Sequence, residues 1–103
     1  MMKIAILLVG ESNPFAGVVR PFINWARGLK KDDYHIDFLL VNVGREIAEY
    51  LLRVGCCFYN FNNSKALSHF CSEKGYDLIF TDDYIERLKF LNKIEGNFRK
   101  AVY

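Results

Sequence analysis

Short apolar runs alternate with segments of helical periodicity along this chain, and this alternation restricts the possible folds more than any other feature. Each complete run is five to eight residues long and is bounded by turn residues, which is typical of strands buried on both faces. The four complete runs are Ile4–Val9, Ile36–Val43, Cys57–Phe61 and Tyr76–Phe80. A fifth run, 101–103, closes the sequence. The pattern predicts a sheet of about five strands that is covered on both sides.

Four segments between these runs carry apolar residues at steps of three and four, the spacing of one helical face. The first is predicted to start near Val18. The second ends at Gly55, and the third extends from a cap at Asn63 or Ser64 to Gly75. The stripes expected to face the sheet are Val18, Phe22, Trp25, Ala26 and Leu29; Ile47, Ala48, Leu51 and Leu52; Ala66, Leu67, Phe70 and Cys71; and Ile85, Leu88, Leu91 and Ile94.

The resulting order, β-α-β-α-β-α-β-α-β with short connections, predicts the fold class. Right-handed crossovers then produce a parallel sheet with helices on both faces, a Rossmann-like or flavodoxin-like three-layer α/β sandwich. A chain of 103 residues fills one such domain. Ligands of these sheets bind outside the carboxyl ends of the strands, beside the first strand. That rule selects the loops 11–17, 42–45, 60–64 and 81–84 as candidate sites.

Charge and cysteine content restrict the partners. The net charge of +2 arises from interspersed charges, with no long basic block, so we expect no nucleic-acid partner. Three cysteines, two of them adjacent, match neither a disulfide framework nor metal-site spacing. They predict reduced, mostly buried thiols in a cytoplasmic protein, with no metal and no cofactor. The histidines, His35 before the second strand and His69 in the third helix, fall away from the expected crevice.

The loop Glu11–Gly17 is the leading candidate for a ligand site. Gly17 permits close approach to the backbone just before a helix, and a helix N-terminus favours an anion. Arg20 adds a group suited to phosphate or carboxylate. The glycines match neither G-x-G-x-x-G nor a P-loop, and Asn42 stands where dinucleotide sites have an acidic residue. The pattern leaves a ligand cradle and a simple strand-to-helix turn both open.

Two adjacent carboxylates follow the fourth strand. Asp83 suits an N-cap, with Glu86 three residues later as in a capping box. Asp82 is less easily explained by capping, and we expect it to face the crevice, where it accepts a hydrogen bond from a ligand hydroxyl or acts as a base. Arg45, at the start of the second helix, is a further candidate for that crevice.

Four stretches resemble one family along most of the chain. They are "MKIAILLVG", "NPFAGVVRPFINWARGLKK", "YHIDFLLVN" and "YDLIFTDDY". In this order they resemble the opening strand, the glycine loop with its arginine-bearing helix, the second strand and the fourth strand of the N-terminal domain of GT-B fold glycosyltransferases of family 4 (glycosyl transferase group 1). Ala16 stands where that family usually has a glycine, and Phe80 and Asp82 stand where it has two histidines.

The resemblance implies transfer of a sugar from a nucleotide-sugar donor to an acceptor, with retained configuration. It implies that residues 1–103 are the N-terminal, acceptor-side part of a two-domain enzyme whose missing C-terminal domain binds the nucleotide. We expect this part alone to be inactive. The residues that the resemblance assigns to the site are Asn13, Ala16, Gly17 and Arg20 near the donor diphosphate and Asp82 facing the acceptor as the catalytic candidate. We also expect Asp83, beside Asp82, to bind substrate.

The sequence leaves two other functions open. The first is a free-standing flavodoxin-like binding or regulatory module without catalysis. A receiver-type module needs acidic residues after the first strand, an Asp after the third and a Lys after the fifth, whereas this chain has Gly10-Glu11 and Asn60–Asn62 at the first two places. The second is a structural or oligomerisation domain whose aromatic surface binds a partner, because the chain contains nine Phe, six Tyr and one Trp.

Overall fold

The computed structural model describes residues 1–10, 19–29, 32–82 and 85–102. Within these residues, strands and helices alternate in the predicted order. Their bounds are β1 (Met2–Val9), α1 (Val19–Gly28), β2 (Tyr34–Val41), α2 (Arg45–Arg53), β3 (Cys57–Phe61), α3 (Ser64–Lys74), β4 (Leu78–Thr81), α4 (Ile85–Lys93) and β5 (Arg99–Val102).

The strands form one parallel sheet in the order β3-β2-β1-β4-β5. The central pair, β1 and β2, is in register over eight residues, from Met2 opposite Tyr34 to Val9 opposite Val41. The chain moves outward from β1 to β3 and then returns to β4 on the other side of β1. The predicted α/β sandwich is confirmed, and its switch point lies between β1 and β4.

The two faces of the sheet form two separate apolar cores, because successive side chains of a strand point to opposite faces. Helices α1 and α2 cover one face, and α3 and α4 cover the other. The first core contains Ile6, Leu8, Val19, Phe22, Ile23, Phe38, Leu40, Ile47 and Leu51. The second contains Ala5, Leu7, Leu39, Val41, Leu67, Cys71, Tyr76, Ile79, Leu91 and Ile94. Both faces of the central strands are therefore buried, as continuous apolar runs predict.

Each of the four predicted helical stripes is wrong at one residue. Trp25 is 41% exposed, Leu52 is 72% exposed and Ile85 is 61% exposed, and Ala66 is also exposed. The buried positions of this segment are Arg87 and Leu91 in α4 and Ile94 just after it, spaced by four and three residues, so Arg87 takes the place of Ile85 on the face that contacts the sheet. The arginine in this buried stripe has a specific partner, described below.

Strand ends differ from the predicted ends for local reasons. β2 stops at Val41 because Asn42 has a φ of 53°, which leaves the extended conformation. β4 begins at Leu78 rather than Tyr76, whose hydroxyl donates to Asp37. β5 begins two residues earlier than predicted, at Arg99, and Tyr103 falls outside the described residues. His35 lies within β2 rather than before it.

Predicted helix caps are confirmed where the structure describes them. Asn63 caps α3, because its Oδ1 accepts a hydrogen bond of 2.8 Å from the Ala66 N–H. Gly75 ends the helix in the left-handed conformation, with a φ of 68°. Gly55 follows α2 with a φ of 79°. These caps are the reason that short helices begin and end where the sequence indicates.

The thiols are less buried than predicted. Cys71 lies in the core, whereas Cys56 is half-buried and Cys57 is exposed, and all three are free cysteines. Among the described residues no helix has the length and apolar character needed to cross a bilayer.

Candidate functional site

The candidate site lies at the carboxyl ends of β1 and β4, where the strand order reverses. The backbone pairing of these two strands extends only from Ile4 opposite Leu78 to Ile6 opposite Phe80. Beyond that point β1 continues to Val9 beside β2, and β4 ends at Thr81 beside β5. Gly10 follows β1 with a φ of 69°, and its N–H donates to the Val41 carbonyl at 3.0 Å. In parallel sheets a crevice at this place is the usual ligand site.

A buried ion pair occupies this position. The Arg87 Nη1 donates to Asp82 Oδ2, and the two residues are only 5% and 6% exposed. Asp82 follows β4 directly, and Arg87 is the third residue of α4. The pair therefore connects the end of the strand with the first turn of the next helix. Neutralisation by the guanidinium is what permits a buried carboxylate here.

Polar side chains also join β1 to β4 where the backbone pairing ends. The Thr81 hydroxyl donates to the Leu7 carbonyl at 2.7 Å. The Arg87 Nε donates to the Val9 carbonyl at 3.4 Å, the outer limit of a hydrogen bond. These contacts satisfy carbonyl groups at the end of β1 that would otherwise be buried without a partner. The end of the sheet is therefore fixed at the switch point.

One oxygen of Asp82 has unused hydrogen-bonding capacity. Its Oδ1 is buried and accepts no hydrogen bond from any described residue. An unpartnered buried acceptor is costly, by about 1–3 kcal/mol, so such an atom in a native protein calls for an explanation. A carboxylate oxygen only accepts, so the group that would complete it is a hydroxyl, an amide N–H or an ammonium. The site is suited to a ligand with a hydrogen-bond donor.

The structure describes two of the six predicted site residues. Asp82 lies at the carboxyl end of β4, and Arg20 is an exposed residue in the first turn of α1. The other predicted site residues, Asn13, Ala16, Gly17 and Asp83, lie outside the described residues. Their roles remain predictions.

Arg45 does not take part in the site. It is the first residue of α2 and is highly exposed, and its Nε lies 3.0 Å from Glu49 Oε1, one helical turn away. This i,i+4 pair accounts for both side chains.

A second buried carboxylate lies at the opposite, amino end of the sheet. Asp37 is completely buried in β2, and its Oδ2 accepts a hydrogen bond of 2.5 Å from the Tyr76 hydroxyl. Its Oδ1 accepts no hydrogen bond of good geometry, although His35 Nε2 lies 3.0 Å from it. The bond from Tyr76 links β2 to the residues just before β4, whereas His35 and Asp37 lie in the same strand. As predicted, His35 is away from the crevice.

Burial at this end changes two titratable groups. Burial raises the pKa of the Cys71 thiol from 9.0 to about 12, so this thiol is neutral and unreactive near neutral pH. Burial, and then the hydrogen bond to Asp37, raise the pKa of Tyr76 above its usual 10.0. Both effects stabilise the uncharged side chains, which is expected of a structural core rather than a reactive site.

Sequence reasoning missed Arg87 and the partners of Asp37. Arg87 has a weak signal, because it stands four and seven residues before Leu91 and Ile94 and so lies on their stripe. Asp37 interrupts an apolar run, which indicates a buried carboxylate but not its partner. No cluster of three or more potential metal ligands is found in the described part of the chain.

Comparisons of this chain with protein-family models, with curated proteins and with solved structures give no match.

Proposed function

We propose that this chain is the N-terminal, acceptor-binding domain of a retaining glycosyltransferase that moves a sugar from a nucleotide-sugar donor to an acceptor. The observation that carries the proposal is the buried Asp82 at the switch point, with one oxygen that accepts no hydrogen bond from the described residues. A sugar acceptor presents hydroxyl donors of the kind that this oxygen needs. The four stretches that resemble family 4 support the sugar-transfer chemistry.

In this proposal Asp82 orients the acceptor. Arg87 holds Oδ2, and Oδ1 accepts the hydrogen bond of an acceptor hydroxyl. Orientation of a reacting hydroxyl lowers the barrier because it removes freedom of motion before the reaction step. Asp82 is also the candidate base for the proton that this hydroxyl loses.

The loop after β1 would contact the donor. By resemblance, the backbone at Gly17, flanked by Asn13 and Ala16, approaches the donor diphosphate, and Arg20 at the start of α1 assists it. Asp83 would bind substrate beside Asp82. The nucleotide itself would be bound by a C-terminal domain, so these 103 residues alone should transfer no sugar. A radiolabelled transfer assay that detected turnover by this chain alone would contradict that statement.

Ligand titration by amide NMR tests the acceptor site directly. The probes are methyl α-D-glucopyranoside and UDP-glucose. We expect the glycoside to shift the amides of Gly10 and Asp82, with a dissociation constant on the order of millimolar for so small a ligand. Asp82→Asn should weaken glycoside binding about tenfold, because the amide is neutral and presents one oxygen instead of two. Asp33→Asn, an equal charge change at an exposed position before β2, is the control.

The same titration can disprove the proposal. Absence of shifts at the switch point for both probes would exclude a sugar site there. Equal weakening by Asp82→Asn and Asp33→Asn would show that only net charge matters.

A non-catalytic binding module is the second candidate, and one observation favours it. The buried Asp82 carboxylate is held by Arg87 through Oδ2, which fixes its other oxygen for a ligand contact that requires no proton transfer. If Asp82→Asn abolishes glycoside binding and the complete natural protein transfers no sugar, the binding module is the better description.

A further inference from the structure

A cavity of about 390 Å³ lies at the amino end of the sheet, opposite the switch point. Its walls are the last turn of α1 and the segment that follows α2, and its floor is the first half of β2. This volume falls within the range of small-molecule sites in proteins, roughly 300–1,000 Å³. The proposed sugar site neither uses nor explains it.

One side of the cavity is apolar, because the core on this face is not closed at its end. Ala26, Ile36, Val54 and Cys56 line the cavity and are only partly buried, although they pack against the core of the α1–α2 face. The small side chain of Ala26 leaves space between α1 and the sheet. Apolar surface of this kind gains roughly 25 cal/mol per Å² when a ligand removes it from water. The apolar part of a ligand would be bound here.

Two polar side chains at the cavity have unused hydrogen-bonding capacity. Arg27 and Tyr34 both line it, and neither has a hydrogen bond or an ion pair to another described residue. The register of the sheet puts Tyr34 on the same face as Ile36 and Phe38, towards the α1–α2 layer. A guanidinium and a phenol can both donate to one anionic group.

The neighbouring polar groups are already engaged. The carbonyls of Tyr50, Leu51 and Leu52 at the end of α2 accept the N–H groups of Val54, Cys56 and Gly55. His35 Nε2 lies 3.0 Å from the buried Asp37. The two unused side chains at the cavity, Arg27 and Tyr34, are both donors, and one of them is cationic. An apolar wall with cationic and phenolic donors beside it matches a ligand that has an apolar body and one carboxylate.

We propose that this cavity binds a small amphipathic acid, with an aromatic or short aliphatic body against Ala26, Ile36 and Val54 and a carboxylate on Arg27 and Tyr34. The site is separate from the switch point and is independent of the proposed transferase function. It lies at the end of the sheet where a ligand changes the packing of α1, whose other end borders the candidate loop.

The test is an amide NMR titration of the full chain with 4-phenylbutyrate and with the matched neutral alcohol 4-phenylbutan-1-ol. The acid should shift the amides of Arg27, Tyr34 and Gly55 and should bind about tenfold more tightly than the alcohol, which corresponds to one charge-assisted hydrogen bond. Absence of shifts at these amides, or equal affinity for both probes, would overturn the proposal.

Three variants locate the binding. Arg27→Gln should reduce the affinity for the acid at least about threefold and leave the alcohol unchanged, because only the carboxylate uses the guanidinium. Arg53→Gln, in the last turn of α2 and not part of the cavity wall, is the matched control. Ala26→Leu fills the cavity and should weaken both probes, provided that its amide spectrum shows the native fold. Equal effects of Arg27→Gln and Arg53→Gln would show nonspecific charge attraction and overturn the proposal.

Discussion

The two ends of the sheet each contain a buried carboxylate, but their surroundings differ. At the amino end, Asp37 has the Tyr76 hydroxyl at 2.5 Å from one oxygen and His35 Nε2 at 3.0 Å from the other. At the carboxyl end, Asp82 is paired with Arg87 through one oxygen. Neither Oδ1 accepts a hydrogen bond from the described residues, but that of Asp37 has the His35 imidazole beside it. The first carboxylate joins elements of the core. The second retains capacity for a ligand, and it lies where this fold binds ligands.

The comparison shows that burial of a charged group does not by itself indicate function. Both carboxylates are nearly or completely buried. What separates them is whether each acceptor atom has a neighbour, and whether the group lies at the switch point. Asp37 contacts Tyr76 and His35 inside the core, whereas the unpartnered oxygen of Asp82 lies at the switch point, where parallel sheets bind ligands. The predictions below follow this difference, from the largest expected effect to the smallest.

Removal of Arg87 should have the largest effect. Arg87→Met leaves Asp82 buried without a compensating charge, and loss of one partner of a buried ion pair costs about 3–5 kcal/mol. Urea unfolding measures this loss. The double variant Arg87→Met with Asp82→Asn should recover part of it, because no charge remains buried. Lys89→Met, at an exposed position of the same helix, is the control and should change stability little. A loss below about 1 kcal/mol in Arg87→Met would mean that water reaches the carboxylate.

Removal of the Tyr76 hydroxyl should have an intermediate effect. Tyr76→Phe keeps the ring in the core but leaves Asp37 Oδ2 without its donor, which costs about 1–3 kcal/mol. The measurement is the free energy of unfolding in urea. Tyr34→Phe removes a hydroxyl that has no hydrogen bond to a described residue and should change stability by less than about 0.5 kcal/mol. Equal effects of the two variants would mean that the contact to Asp37 is not stabilising.

Alkaline pH should weaken the amino end in particular. The pKa of Cys71 is raised by burial from 9.0 to about 12, and the pKa of Tyr76 is raised above 10.0. The unfolded chain therefore loses these protons at lower pH than the folded chain. With respect to these two groups, the folded protein has its full stability below about pH 9. This stability falls as the pH rises towards the pKa values that Cys71 and Tyr76 have in the folded chain. Each group contributes at most about 1.4 kcal/mol per pH unit.

Urea unfolding between about pH 8 and pH 11 measures this alkaline loss, because this range begins below the ordinary thiol pKa of 9.0 and ends below the raised pKa of Cys71, about 12. Cys71→Ala and Tyr76→Phe should each reduce the slope of stability against pH. Cys57→Ser, which changes an exposed thiol, should leave the slope unchanged. If stability fell equally steeply with pH in the original protein and in both core variants, Cys71 and Tyr76 would not be the source of the alkaline loss.

The smallest effect is expected for an exposed ion pair. Arg45 and Glu49 are largely exposed to solvent, and exposed i,i+4 pairs contribute about 0.5 kcal/mol or less. Arg45→Gln should therefore change the urea midpoint very little, and the change should disappear in 1 M salt. A loss comparable to that of Arg87→Met would show that exposure is a poor guide to the strength of ion pairs in this protein.

The order of elements could be predicted from the sequence because it depends on local chemistry. Periodicity identifies the strands and helices, and residues such as Asn63, Gly55 and Gly75 end or cap helices through contacts within a few residues. The place of the candidate site also followed, since the carboxyl end of a parallel sheet depends only on the order of elements and the handedness of their connections. Asp82 was found by this rule.

Only the tertiary structure decided which partners the buried charges have. Tyr76 and Asp37 are 39 residues apart, and their contact requires both the sheet order and the register of its strands. Arg87 reaches Val9, 78 residues away, because α4 packs against β1 and buries Arg87 together with Leu91. The free energy of burying a charge depends on all of its neighbours in space, and a sequence lists neighbours only along the chain.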